Sequence, residues 1–266
     1  MEITKPSISN YVALQDAVEV NPKKAAETVD QQNVSGQNPP TSNTLRGLLP
    51  DPNVALQLLA ANDVKGASSG TVSKAREPMP AIAARGTADA TDVALVRAEL
   101  EKIPPKYRQM LMDNNVQIIV TRNSVTEYRT DLKGVQPRGW RSSATWDTVP
   151  GVGPTPERNE IVIATRGHGT PAGPRVPLTG DGHNSYNLVL HEAAHALQEN
   201  QSIGFSWQAF KDARTADFAK LSSYEKQADD AGLQETFAES FANVFGGNRN
   251  YANTHPHLDK YWKELP

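Results

Sequence analysis

This chain of 266 residues contains no cysteine. That absence excludes disulfides, a thiol nucleophile and thiolate-ligated zinc together. Long hydrophobic runs are missing too. Nothing approaches the roughly 18 apolar residues that a membrane-spanning helix needs, so no membrane span is expected. Neither sign of charge dominates: 27 Lys and Arg stand against 30 Asp and Glu, a formal net charge of −3. There is no broad basic footprint, and nucleic acid is not an expected partner. The opening residues, Met1 to Pro6, carry neither a basic nor an apolar leader region, so a Sec-type signal is not expected.

Aromatic residues are scarce in one part of the chain. Of the 17 in the whole sequence only Tyr11 precedes residue 86, and the same stretch holds eight of the 19 prolines. Such a segment cannot bury enough apolar surface to offset its ordering entropy, so residues 1–85 are predicted to be mostly disordered. Two short apolar clusters interrupt it: Leu45, Leu48 and Leu49, then Val54, Leu56, Leu58 and Leu59. They have the composition of short helices that dock on a partner, with transient helix in a linker as the plain alternative. From residue 86 the pattern becomes globular. Thr91 can cap a helix running to about Lys102, ended by Pro104 and Pro105, and a second helix carries Tyr107, Met110 and Leu111. Strands are predicted at 116–121 and 160–165, with a Gly/Pro-rich loop at 166–183. A helix bearing Trp207, Phe210 and Phe218 follows, and a last helix is predicted over about 257–265. This is an α+β pattern, a small sheet over a helical core.

Residues 191–195 read His-Glu-Ala-Ala-His. On a helix, His191 and His195 project from one face and can bind one Zn²⁺ together. Glu192 beside them is placed to take a proton from water activated there. Residues 186–197 are otherwise almost wholly apolar, aromatic or Ala, so the helix, predicted over 186–199 with Asn184 or Ser185 as its cap, is buried on most sides. Two His and a Glu inside such a helix need partners, and a metal satisfies all three. A third ligand cannot come from the same run, because positions 198 and 201 are Gln. The best source is the segment from Leu233 to Phe245, whose apolar positions form a wide stripe and whose Glu235 and Glu239 lie four apart on one face. Glu235 is assigned as the ligand. Glu239 would accept the other ring N–H of a ligand His, His191 being the expected donor. His168, His183, His255 and His257 are rival ligands that read as surface residues.

These two elements, H-E-A-A-H-A-L-Q and, about 40 residues on, E-T-F-A-E-S-F, resemble the anthrax lethal factor family of zinc endopeptidases, within the gluzincins. The similarity extends over about residues 90–250. It includes Val116–Val120, Pro137–Trp140, Thr145–Gly151, Glu160–Ala164 and Asn187–Leu190. The resemblance implies a zincin-like metalloprotease domain at 86–266 with one Zn²⁺ held by His191, His195 and Glu235 and with Glu192 as general base. Family members often place a Tyr seven residues before the ligand Glu to stabilise the oxyanion. Here position 228 is Ala, and Tyr224 is the nearest upstream Tyr.

The expected function is therefore a zinc-dependent endopeptidase acting on a protein substrate, with strand 160–165 as the sheet edge that pairs with it. A cysteine-free domain behind an unstructured polar segment suits an exported toxin or effector. On that reading residues 1–85 carry the signal for a secretion chaperone or apparatus, and the protein leaves by a non-Sec route to act in a target cell. The alternatives are a cytoplasmic peptidase and a non-catalytic lethal-factor-like binding module or adaptor.

Overall fold

The computed structural model describes residues 78–137, 144–155, 157–199 and 205–265. Residues 1–77, with the Leu45–Leu59 clusters, lie outside them. Among the described residues no helix is long and apolar enough to cross a membrane.

The order begins with strand β1 (Ala81–Ala84), helix α1 (Ala90–Leu100), helix α2 (Pro105–Asp113) and strand β2 (Gln117–Thr121). The first strand thus lies inside the stretch predicted to be disordered up to residue 85: four small or branched residues gain ladder bonds that composition does not reveal. Short 3₁₀ turns lead to strand β3 (Gly151–Val152) and strand β4 (Glu160–Ala164). Helices α3 (Leu188–Glu199), α4 (Trp207–Asp217), α5 (Asp229–Gly246), α6 (Tyr251–Thr254) and α7 (Pro256–Glu264) follow. The sheet order is β1-β2-β4-β3, with β3 antiparallel at one edge and the other pairings parallel. Strand β4 is therefore interior, with β2 on one side and β3 on the other. It is not the open edge expected of residues 160–165; among the described residues the sheet's edges are β1 and β3, and β3 is the one beside β4.

Both faces of the sheet are covered, as parallel strands require. Period-two alternation divides the strands between two cores. Ile118, Val120, Ile161 and Ile163 face the helices, whereas Ile119, Val162, Ala164 and Val152 pack with Val125, Leu132, Trp146 and Val149. The helical core is largely aromatic. Trp262 on α7 lies within 4.8 Å of Phe237 and 5.0 Å of Phe241, ring centre to centre, and its indole N–H donates to Ser240 Oγ at 2.8 Å. Helix α7 begins at Pro256, and its free N–H groups are met from α4: Asp217 Oδ2 accepts from the His257 and Leu258 amides at 3.0 and 2.9 Å. Phe218, expected on the apolar side of α4, falls just past its end and is exposed.

Helix α1 is capped by Asp89, not Thr91. The Asp89 carboxylate accepts from the Thr91 amide at 2.8 Å, and Asp92 returns the bond to the Asp89 amide at 2.9 Å, completing a capping box. Asp92 is itself fully buried. Its carboxylate accepts from Arg122 Nε and Nη2 at 3.1 and 2.8 Å and from the Thr165 hydroxyl, and it lies 2.6 Å from His168 Nε2. One side chain thereby joins α1, the ends of β2 and β4, and the loop after β4. Burial alone would raise its pKa, but the bonds from Thr165, Asp89, Arg122 and His168 outweigh burial and hold it at about 2, against 3.8 for a free Asp.

A depressed native pKa stabilises the fold above the unfolded-state pKa and ceases to do so as pH falls through the native one; here that is worth ~2 kcal/mol. Asp92→Asn should lower unfolding free energy by about 2–3 kcal/mol at pH 7. In urea titrations at stepped pH the gap to wild type should narrow only below about pH 4. A gap that is constant down to pH 3 would place the stabilisation elsewhere.

Candidate active site

Helix α3 starts at Leu188 because Asn187 caps it. Its carbonyl accepts from the His191 amide at 3.0 Å, and its side-chain oxygen accepts from the Leu190 amide at 3.2 Å. The expected caps, Asn184 and Ser185, lie further upstream, in the loop. The helix is buried on nearly every face, against α5, α1, α2, β3 and β4. His191 and Glu192 are enclosed, and His195 is half-buried. Helix α5 runs from Asp229 to Gly246 and is stopped by Gly247 at φ 87°, the left-handed C-cap that glycine supplies without a Cβ penalty.

These two helices bring three donor atoms to one point. His191 Nε2 and His195 Nε2 are 3.0 Å apart, and Glu235 Oε2 is 3.5 and 3.4 Å from them. The ligand atoms of a tetrahedral zinc, each about 2.0–2.1 Å from the metal, stand roughly 3.3 Å from one another. The observed spacings are the edges of such a polyhedron. His191 Nδ1 lies 3.0 Å from Glu239 Oε1, a placement that suits a ring proton on Nδ1 and an Nε2 lone pair facing the other donors.

The electrostatics agree with a cation site. Burial, and then the nearness of His195, push His191 far below the usual imidazole range. Burial opposes charge on His195 as well, but the carboxylates of Glu235, Glu192 and Glu239 overcome it and raise its pKa. Burial pushes Glu239 up to about 7. Crowded carboxylates beside two imidazoles, one of which resists protonation, are satisfied by one divalent ion.

Glu192 is fully buried but stands outside this donor group, which among the described residues contains only His191, His195 and Glu235. Its carboxylate is turned toward β3. A Cβ placed on Gly151 would lie 2.8 Å from Glu192 Oε1, and one on Gly153 would lie 3.0 Å from Oε2. The three clustered donors and the Glu192 carboxylate therefore occupy different sides of one helix turn. Sequence reading missed the strand that covers Glu192. Its signal, glycines at alternate positions around Val152 and next to Pro150, reads as a turn.

The other His residues do not join the site, though only His257 among them is exposed. His168 binds Asp92, His255 stacks on Tyr251, and His257 pairs with Asp217 at 2.8 Å. His183, expected on the surface, is 2 % exposed, and burial pushes its pKa down to about 4. Its loop folds back on itself: the Gly180 amide donates to the His183 carbonyl at 2.7 Å, and Thr179 Oγ1 donates to the Ser185 carbonyl at 2.8 Å. Tyr224 lies in the turn ahead of α5, half-buried, with its hydroxyl enclosed.

Two His one helical turn apart, a Glu from a neighbouring helix and a separate buried Glu define the class as a gluzincin-type zinc metalloprotease domain. A family model described as the anthrax toxin lethal factor N- and C-terminal domain matches residues 86–255. A Pro-Pro endopeptidase from Paenibacillus alvei is 38% identical over 111 residues, 40% of this chain and 45% of that protein. One from Clostridioides difficile is 30% identical over 184 residues, 66% of this chain and 76% of that protein. The solved structure of a Pro-Pro endopeptidase from Paenibacillus alvei superposes with a TM-score of 0.51 at 26% identity, covering 70% of this chain and 97% of that one. The chain spans less than half the length of the first of these relatives and about three quarters of the second. It belongs to the anthrax lethal factor family and carries a zinc metalloendopeptidase domain.

Two measurements test the assignments within it. Glu192→Gln should abolish peptide hydrolysis, a loss of at least about 10²-fold, while zinc stays stoichiometric by metal analysis. Zinc lost along with activity would make Glu192 a ligand. In competition titrations with a chelator, Glu235→Ala should weaken zinc binding more than Glu239→Ala, whose loss should fall at about 10–100-fold. The reverse order would exchange their roles.

Proposed function

We propose that this endopeptidase cuts proline-containing, extended segments of a protein substrate at a Pro-Pro bond, and that it does so after export, inside a target cell. The observation that carries the substrate reading is the orientation of β3. The Ala164 amide donates to the Pro150 carbonyl at 2.7 Å, and Val152 is paired with Val162. Antiparallel pairing alternates, so Pro150 and Val152 are turned toward β4 and the backbone groups of Gly151 and Gly153 toward the open edge. An extended peptide laid there pairs its backbone with them beside Glu192. Proline-rich segments are extended before they bind, which lowers the ordering cost. The Pro-Pro preference itself comes from the names of the relatives.

In this reading Glu192 takes a proton from the attacking water and hands it to the leaving nitrogen. Zinc, when bound by His191, His195 and Glu235, supplies Lewis-acid polarisation and a lowered pKa for water. Glu239 fixes the His191 ring. Tyr224, with its enclosed hydroxyl in the turn before α5, is proposed as the donor to the developing oxyanion. Export is supported by composition: no cysteine must be oxidised or reduced in transit, and residues 1–85 hold a single aromatic residue. The Leu45–Leu59 clusters are the proposed docking points for a chaperone or export apparatus.

Quenched peptides with a central Pro-Pro bond should be cleaved at least about 10²-fold more efficiently than Ala-Ala counterparts. Tyr224→Phe should lower kcat with little change in KM. Equal turnover of both peptides would remove the proposed specificity. For delivery, residues 1–85 fused to a reporter should leave the producing cell; retention would count against export by this segment.

A further inference from the structure

We propose that Gly151 and Gly153 are positioning residues for the general base. Their lack of a side chain is what lets the Glu192 carboxylate stand where it does. Eight described glycines have positive φ and answer a backbone need, but neither Gly151 nor Gly153 is among them. Alanine fits their backbone without strain. What these two glycines provide is space.

The space is directed at one group. Alternation along a strand turns Gly151 and Gly153 to the same face, toward α3, and Val152 to the opposite core beside Trp146. A Cβ on Gly151 would meet Glu192 Oε1 at 2.8 Å and Leu188 Cδ1 at 2.8 Å. A Cβ on Gly153 would meet Glu192 Oε2 at 3.0 Å, and His195 Cβ only at an ordinary 3.6 Å. Each carboxylate oxygen thus has one glycine against it. The atoms in the way belong to side chains, not backbone: the Glu192 carboxylate at both positions and, at Gly151, Leu188 Cδ1 with Cγ at 3.2 Å, so a methyl group there costs the buried core some packing as well. What it costs the chemistry is larger, because the carboxylate that must give way is the base. A general base works within about 2.6–3.2 Å of the proton it takes, and a displacement of about 1 Å can cost 10²-fold in rate. Of the three proposed zinc ligands only His195 is among the nearest atoms, its Cβ standing 3.6 Å from a methyl group on Gly153, an ordinary van der Waals contact.

This inference rests on Glu192 being the base of peptide hydrolysis, and the controls separate the two. The full zinc-loaded chain is assayed on the quenched Pro-Pro peptide as wild type, Glu192→Gln, Gly151→Ala and Gly153→Ala. Zinc stoichiometry and Tm are measured on the same samples. Gly151→Ala should lower kcat by at least about tenfold and Gly153→Ala by less, with KM, zinc content and Tm close to wild type. Glu192→Asp, which withdraws the carboxylate by one methylene, should cost less in the Gly151→Ala background than alone, a coupling that two independent defects would not show. A crystal structure of Gly151→Ala should show the Glu192 carboxylate moved from its wild-type position. Wild-type kcat in Gly151→Ala, or a loss matched by lost zinc or lowered Tm, overturns the proposal. If the wild type itself leaves the peptide intact, the substrate reading fails. The crystal structure then decides: a displaced Glu192 upholds the glycine role and an unmoved one ends it.

Discussion

The structure depends on one juncture, where Glu235 and Glu239 of α5 meet His191 and His195 of α3. Buried carboxylates and imidazoles are costly apart and compatible only when each offers what the other lacks. That requirement fixes the two helices in rotation as well as in distance. A turn of α5 by one residue would carry both carboxylates away from the histidines and lay apolar residues against them. The rest of the helical core serves this alignment. The rings of Phe237, Phe241 and Trp262 set the depth of α5, and Asp217 secures the start of α7, which carries Trp262.

The sheet governs the opposite side of α3. Because the residues at β3 that face α3 are Gly151 and Gly153, the strand brings backbone, not side chains, up to Glu192. The site is therefore built of two unlike walls. One is a polar helix face that holds charge, and the other is a bare strand that offers hydrogen bonds and room. Separating metal ligands from base in this way lets each be held by its own neighbours, Glu239 for His191 and the two glycines for Glu192.

The grouping of these donor side chains was legible in the sequence because helical periodicity is strong and local. Residues four apart share a face wherever the helix ends up, so His191, His195, Glu235 and Glu239 could be grouped without knowing the fold. Strand β3 was not legible. Pro150 and the flanking glycines carry the composition of a turn, and its strand character comes entirely from pairing with Val162 and Ile163, which is not local. The same holds for β4, whose residues announce burial but not whether one or two neighbours lie beside it. Asp92 looked like an ordinary acidic residue in a first helical turn. Its burial depends on Arg122, Thr165 and His168, residues 30 or more positions away. His183 was misplaced for the reverse reason, since a Gly-rich loop usually lies on the surface and this one folds inward.

The shortness of β3 has a consequence for what the enzyme can recognise in a folded target. Two residues make a poor strand by themselves, and a peptide laid along the outer edge completes them, so capture and local ordering become one event. Only a segment whose own backbone groups are unengaged can enter into that exchange. A stretch already committed to a helix or an interior strand must first open, and its capture would then scale with the population of that opening rather than with sequence alone. On the proposed pairing, the edge would act as a filter for conformation ahead of any preference for side chains, and would favour segments whose backbone is unengaged.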